Sequence, residues 1–213
     1  MTRIALIHAL AHSVAPVNEA MARAWPQAQR MNLLDDSLSA DLAAAGSLDA
    51  RMHERFQQLA RYAVGCGSDA ILFTCSAFGP CIEAVARAHA PLPVLKPNEA
   101  MVAQAAAAGG RIGLVASFAP TLQSMPAEFP PGTDLHCELA ADALAALNAG
   151  DTAGHDNAVV LAARKLLGQG CTAIALAQFS MARARPLVER ATGLPVLTTV
   201  DSAIAELRRR LGA

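Results

Sequence analysis

Two stretches of this chain read almost alike: GCGSDAILFTC at residues 65–75 and GQGCTAIALAQ at residues 168–178. Each opens with Gly-x-Gly and continues into a short apolar run, a pattern that predicts a helix end followed by a buried strand. The matching positions lie 103 residues apart. The two stretches differ in their last residue, which is Cys75 in the first and Gln178 in the second.

Two further blocks repeat in the same order. RIAL at residues 3–6 returns as RIGL at 111–114, and LPVL at 92–95 returns at 194–197. A period of about 105 residues is too long for a solenoid and indicates two similar domains related by a pseudo-twofold axis. We expect a first domain of residues 1–96 plus 200–213 and a second of residues 97–199, with the active-site cleft between them.

Short apolar runs alternate with longer helical patterns, which is typical of parallel α/β architecture. The predicted fold is therefore α/β, with two flavodoxin-like domains, each a four-stranded parallel sheet flanked by helices. The predicted strands lie near residues 3–8, 30–34, 70–74, 93–96, 111–116, 134–138, 172–177 and 195–198. The predicted helices cover 48–64 with Ser47 as N-cap, 81–89, 99–108 with Asn98 as N-cap, 152–167, 182–191 and 201–211.

The composition excludes several classes of protein. With 54% hydrophobic and 16% charged residues, the chain is not expected to be disordered. A formal net charge of −1 offers no basic surface for nucleic acid or for an anionic membrane. The apolar start is interrupted by His8 and His12, so it predicts a buried first strand and neither a signal peptide nor a membrane span.

Five cysteines contain no Cys-x-x-Cys pair, and their odd count and irregular spacing do not indicate a disulfide framework. Free thiols favour a reducing compartment, so we expect a cytoplasmic protein. We interpret four of the thiols as inert packing, since cysteine is among the most buried residue types; these are Cys66, Cys81, Cys137 and Cys171.

Ligands of such sheets bind at the carboxyl ends of the strands, where loops lead into helices. Cys75 stands at such an end, a few residues before the helix announced by Pro80. Free backbone N–H groups and a helix dipole there are expected to favour a thiolate, which could act as a base or as a nucleophile. Thr74 and Ser76 add hydroxyl donors that could bind a substrate carboxylate.

The corresponding loop of the second half offers no group that titrates near neutrality. Gln178 and Ser180 can orient a carboxylate or a carbonyl oxygen, and Phe179 suggests an apolar wall. Ser117 and Asn98 follow strands at the same kind of sheet edge, so they complete the predicted substrate-binding set.

His8 ends the first predicted strand. A histidine lining the cleft could exchange protons, and the alternative is a buried, hydrogen-bonded ring. His8 and His12 lack a clear third ligand, so no metal site is predicted. Gly65 to Ala70 imitates a dinucleotide fingerprint but precedes its strand, and no P-loop or other catalytic motif is present.

With duplicated four-stranded halves and Thr74-Cys75-Ser76 after the third strand, the chain resembles the aspartate/glutamate/hydantoin racemase superfamily over nearly its whole length. Members of that family typically carry one cysteine in each half and interconvert mirror-image acids without a cofactor. Here Ala177-Gln178-Phe179 stands where the second cysteine segment is expected. The resemblance also implies a small carboxylate as substrate and a possible homodimer, as relatives commonly dimerise.

Three hypotheses follow from the resemblance, two of them reactions of a lone thiol. The leading hypothesis is a cofactor-independent racemase or isomerase of a small carboxylic or amino acid, with Cys75 as base or nucleophile and His8 as second proton carrier. A decarboxylase or lyase is the second, because arylmalonate decarboxylase, a relative, also has a single active-site cysteine. A non-catalytic acid-binding protein is the third.

Overall fold

A computed structural model describes all residues, 1–213, and divides them into two compact units. Unit 1 comprises Met1–Pro97 with Ala203–Ala213, and unit 2 comprises Asn98–Ser202. Each unit contains one four-stranded parallel sheet with helices around it, so the predicted α/β fold is confirmed.

The sheet of unit 1 has the order β2-β1-β3-β4 and that of unit 2 the order β6-β5-β7-β8. All strand pairs are parallel. The strands are Arg3–His8 (β1), Gln29–Leu34 (β2), Ala70–Phe73 (β3), Val94–Leu95 (β4), Ile112–Ala116 (β5), Leu135–Leu139 (β6), Ala173–Leu176 (β7) and Val196–Thr198 (β8). All eight predicted strands are present.

Ten α-helices connect the strands. They are Val14–Ala24 (α1), Leu38–Ala45 (α2), Ala50–Gly65 (α3), Gly79–Ala88 (α4), Glu99–Ala108 (α5), Ala119–Ser124 (α6), Ala143–Asn148 (α7), Thr152–Gly168 (α8), Arg185–Thr192 (α9) and Thr199–Leu211 (α10). No helix combines the length and the apolar character that crossing a membrane requires.

Two predicted N-caps can be compared with the structure. Helix α3 begins after Asp49, whose carboxylate accepts a 2.8 Å hydrogen bond from the Met52 N–H, so Ser47 is not the cap. Asn98 does occupy the N-cap position of α5, but its side chain makes no capping hydrogen bond. At α3, the cap is thus the side chain that reaches a free N–H of the first turn.

The Gly-x-Gly repeat has a physical cause. Gly67 and Gly170 both have positive φ, which suits a residue that ends a helix and carries no Cβ. Beside them, Arg3 donates to the Cys66 carbonyl and Arg111 to the Gln169 carbonyl, so each arginine satisfies the C-terminus of α3 or α8. The repeated arginine and glycines therefore form one helix-ending device, present once in each unit.

Candidate active site

Cys75 lies in the loop that follows β3. It occupies the N-cap position of the 3-10 turn Ser76–Phe78, which leads directly into α4. Phe78 is fully buried and packs against Phe56 of α3, with 4.9 Å between the ring centroids. Because this aromatic contact anchors the turn, the backbone around Cys75 is held at the carboxyl end of the sheet.

Cys75 is half-buried, and its side chain packs against the core of unit 1. Burial raises the pKa of Cys75, and a hydrogen bond from the Ala77 backbone N–H lowers it by a smaller amount. Desolvation disfavours the charged form of a thiol. In the ligand-free protein, burial therefore outweighs the hydrogen bond, and the pKa of Cys75 moves in the opposite direction to the one expected from the sequence.

His8, at the end of β1, is completely buried. Its Nδ1 lies 3.0 Å from both the Ser13 hydroxyl and the Thr74 hydroxyl, and its Nε2 lies 3.0 Å from Asn32 Oδ1. The Ser13 and Thr74 oxygens are themselves 2.9 Å apart. The structure thus joins the ends of β1, β2 and β3 through one polar network.

A hydrogen bond to a backbone carbonyl determines which atoms of this network carry protons. Asn18 Nδ2 donates to the Val14 carbonyl at 2.8 Å, which orients the Asn18 amide. Asn18 and Asn32 then pair reciprocally, and Asn32 Oδ1 faces His8 Nε2. His8 therefore carries its proton on Nε2, and Nδ1 accepts from a hydroxyl group. Burial lowers the pKa of His8, which keeps the ring neutral.

This placement corrects the hypothesis that His8 is the second proton carrier. The ring has no exposed surface, and both nitrogens already have partners. Thr74, also buried, shares that network and is brought directly against His8. Ser76 is exposed in the turn after Cys75, so its hydroxyl is open to a ligand.

Gln178 occupies in unit 2 the position that Cys75 occupies in unit 1. It follows β7 at the same distance and forms the N-cap of the 3-10 helix Phe179–Ala184. Its Oε1 accepts from the Ser117 backbone N–H at 3.0 Å, and its Nε2 donates to the Thr121 hydroxyl at 2.9 Å. These bonds use the Gln178 oxygen and one of its two amide N–H donors.

The other predicted residues of unit 2 divide into two groups. Ser117 contacts Gln178, and Ser180 is half-buried in the adjacent 3-10 helix. Phe179 is buried, so ordinary packing accounts for it. Asn98 is also buried and donates to the Glu128 carboxylate at 2.7 Å, so its side chain is already paired within the unit.

Sequence reasoning missed two members of these networks. Asn32 lies on an edge strand and Thr121 in a short helix, and neither belongs to a recognisable motif. A signal for Thr121 did exist: it stands 108 residues after Ser13, the offset that also relates Arg3 to Arg111. No group of three or more His, Cys, Asp or Glu side chains in the structure could hold a metal ion.

The sequence model of the Asp/Glu/hydantoin racemase family matches residues 12–207. No curated protein sequence matches the chain significantly. Among solved structures, the chain is similar to aspartate racemase from Picrophilus torridus, with a TM-score of 0.76, 12% identity and coverage of 100% of this chain and 95% of that one.

Two other similar structures carry different activities. Allantoin racemase from Klebsiella pneumoniae has a TM-score of 0.73 at 19% identity, covering 100% of this chain and 89% of that one. Unliganded arylmalonate decarboxylase has a TM-score of 0.66 at 17% identity, and the match covers 100% of this chain and 94% of that one. Identities this low establish a shared fold and no shared substrate.

Proposed function

Because the chain belongs to the Asp/Glu/hydantoin racemase family, we propose that it is a cofactor-independent racemase or isomerase of a small carboxylic or amino acid. The observation that carries this proposal is the half-buried Cys75 in the loop after β3, with the Ala77 N–H bonded to its sulfur. A strand end of this kind is where α/β sheets place their reactive groups.

In the proposed reaction, the Cys75 thiolate removes the α-proton, and the C–H electrons move into an enolate. The exposed Ser76 hydroxyl, the remaining Gln178 N–H and the Ser180 hydroxyl bind the enolate oxygens, as neutral donors do in an oxyanion hole. Thr74 and Ser117 orient the two loops through their bonds to His8 and Gln178. Asn98, which is held by Glu128, is proposed as the remaining substrate-binding residue. His8 acts by holding Thr74 in place.

The return of the proton differs from a two-thiol mechanism. Gln178 has no proton to exchange near neutrality, so the proton on the opposite face comes from solvent water. The hydroxide left by that step takes the proton from the Cys75 thiol, which regenerates the thiolate. The reaction is thus balanced with a single titrating side chain.

A decarboxylase is the second candidate, and one observation favours it. Burial raises the pKa of Cys75, so the resting group is a proton donor. In that reaction the bond between the α-carbon and a substrate carboxylate breaks and carbon dioxide leaves. The electrons of that bond stay on the substrate and form the enolate. The Cys75 S–H then protonates the α-carbon, and solvent restores the thiol.

One assay separates these functions. Chiral α-substituted acids and α-disubstituted malonates are incubated with the protein in D2O, and α-deuterium, optical rotation and carbon dioxide are followed. Deuterium incorporation with loss of rotation supports racemization, whereas carbon dioxide release supports decarboxylation. Binding of an acid with neither change would leave a binding protein and refute both enzymatic proposals.

The pH dependence of the rate shows whether the reaction needs Cys75 as the thiolate or as the thiol. Since burial raises the pKa of Cys75, a rate that needs the thiolate rises with pH through the alkaline range. A rate that needs the thiol is level near neutrality and falls at high pH.

Substitution of the thiol completes the test. Cys75→Ser is expected to lower either rate by about 100-fold or more, because a hydroxyl is a far weaker acid and base. Cys66→Ser, at another half-buried cysteine, is the matched control and should retain the rate. Equal rates in the two variants would remove Cys75 from the mechanism.

A further inference from the structure

A buried polar cluster in unit 2 lies outside the residues proposed to meet substrate. His155 and Asp156 stand in the first turns of α8, just after the N-cap Asp151. Asp156 Oδ1 lies 2.8 Å from His155 Nδ1, and Arg183 Nε donates to both carboxylate oxygens at 3.0 and 3.1 Å. The aspartate therefore links helix α8 to Arg183.

Arg183 belongs to the 3-10 helix Phe179–Ala184, which begins directly after Gln178 and contains Ser180. The segment 178–184 is thus held at both ends. Its start is held by the bonds of Gln178 to Ser117, in the loop after β5, and to Thr121 in α6. Its end is held by the pairing of Arg183 with Asp156.

Stability does not explain the imidazole in this cluster. His155 is completely buried, and its Nε2 has no hydrogen-bonding partner. An unsatisfied buried nitrogen is unfavourable compared with an apolar side chain of similar size. Counted from the shared helix end, Met52 of α3 is the equivalent residue in unit 1, and it is a buried apolar side chain. The fold alone therefore does not require a histidine here.

We propose that His155, Asp156 and Arg183 are positioning residues that hold segment 178–184 in the geometry in which Gln178 and Ser180 bind substrate. The inference rests on the proposed function, because it assigns the cluster a purpose in that reaction. Asp156 fixes Arg183, and His155 in turn orients the Asp156 carboxylate through Oδ1.

The first test needs no substrate. Arg183 is exposed, so Arg183→Met is expected to fold, and amide hydrogen exchange in residues 178–184 should speed up by about tenfold. Arg183→Lys, which keeps a cation, should restore exchange to within about threefold of the parent protein. Arg190→Met, at an exposed arginine of α9, is the matched control. Unchanged exchange in Arg183→Met would overturn the proposal.

The second test uses turnover of whichever acid the D2O assay identifies. His155→Leu and Arg183→Met should each lower kcat by about tenfold while KM changes by less than about threefold. The thermal midpoint of His155→Leu should be unchanged or higher, because the orphaned nitrogen is gone. A parallel loss of kcat and stability would indicate a structural role and refute positioning. If no acid turns over in the parent protein, the proposed function fails, and the exchange experiment still decides the positioning inference.

Discussion

The carboxyl ends of the two sheets have the same backbone and opposite chemistry. In unit 1, a histidine at the end of β1 fills the space beneath the loop and binds Thr74, while the loop itself presents a thiol. In unit 2, Ala116 and Ala177 occupy the corresponding positions, and Gln178 reaches from the loop to Ser117 and Thr121. In unit 1, the side chain that bonds the loop comes from β1. In unit 2, the loop's own Gln178 reaches out to its partners.

This difference shows how a duplicated fold can separate two roles. Backbone hydrogen bonds at the two sites are matched: the Thr74 N–H binds the Ile7 carbonyl at 3.0 Å, and the Ala177 N–H binds the Val115 carbonyl at 2.9 Å. The scaffold therefore does not dictate which residue carries the polar group. Unit 1 retains the titratable side chains, and unit 2 retains neutral donors.

The largest effect is expected from making the two loops alike. Gln178→Cys places a second thiol at the position equivalent to Cys75. In the proposed racemization, a side chain can then supply the proton that solvent otherwise provides. Racemization should then rise by about 100-fold, in the range of general acid catalysis. The loss of optical rotation by the purified variant measures this gain.

Gln178→Ala is the control for that experiment, because it removes the amide without adding a thiol. Should both variants racemize at the same rate, the missing thiol would not be what limits the reaction.

A smaller effect, on the free energy of unfolding, is expected from substitutions inside the two sheets. There Ala5 of β1 corresponds to Gly113 of β5. A Cβ on Gly113 would lie 2.9 Å from Leu166 Cδ1 and 3.0 Å from Leu166 Cβ, whereas Ala5 is accommodated and fully buried. Gly113→Ala should cost about 1–3 kcal/mol through overpacking. Ala5→Gly should cost about 1 kcal/mol through the lost methyl group and added chain entropy.

Urea denaturation of both variants measures these costs in the free energy of unfolding. Gly65→Ala is the control, since nothing lies within 4 Å of a Cβ at that helical position. It should be neutral or slightly stabilising. A stabilised Gly113→Ala protein would contradict the difference in packing between the two sheets.

The smallest effect concerns the buried histidine that only unit 1 has at its strand end. Burial lowers the pKa of His8 below its ordinary value, so the unfolded chain binds a proton first as the pH falls. The contribution of neutral His8 to the free energy of unfolding is therefore fully present above about pH 6.5, the ordinary histidine pKa. It is lost as the pH falls from there toward the lower pKa that His8 has in the folded protein.

His8→Gln should flatten this dependence by up to about 1.4 kcal/mol per pH unit in that window. Urea midpoints at pH 5.5 and 7.5 test it, with the exposed His12→Gln as control. An equal slope in His8→Gln and the parent protein would show that His8 is not the group that titrates.

The errors at the sequence level follow from particular residues. Helices α2, α6 and α7 have six to eight residues and were not predicted, because they are too short for a helical period to emerge. Helix α1 carries Pro16 in its first turn, where proline is tolerated, and it too was missed. The N-cap of α3 was misplaced because both Ser47 and Asp49 fit the pattern.

The sequence by itself determined the duplicated parallel α/β fold, since fully buried strands are continuous apolar runs and the repeated arginines and glycines end the same helices. It also identified Cys75 and Gln178 as equivalent positions. Only the tertiary structure decided that His8 is enclosed with a lowered pKa and that burial raises the pKa of the Cys75 thiol. The physical reason is that desolvation and hydrogen bonding depend on side chains such as Asn32, which lie far away along the chain and adjacent only in the folded unit.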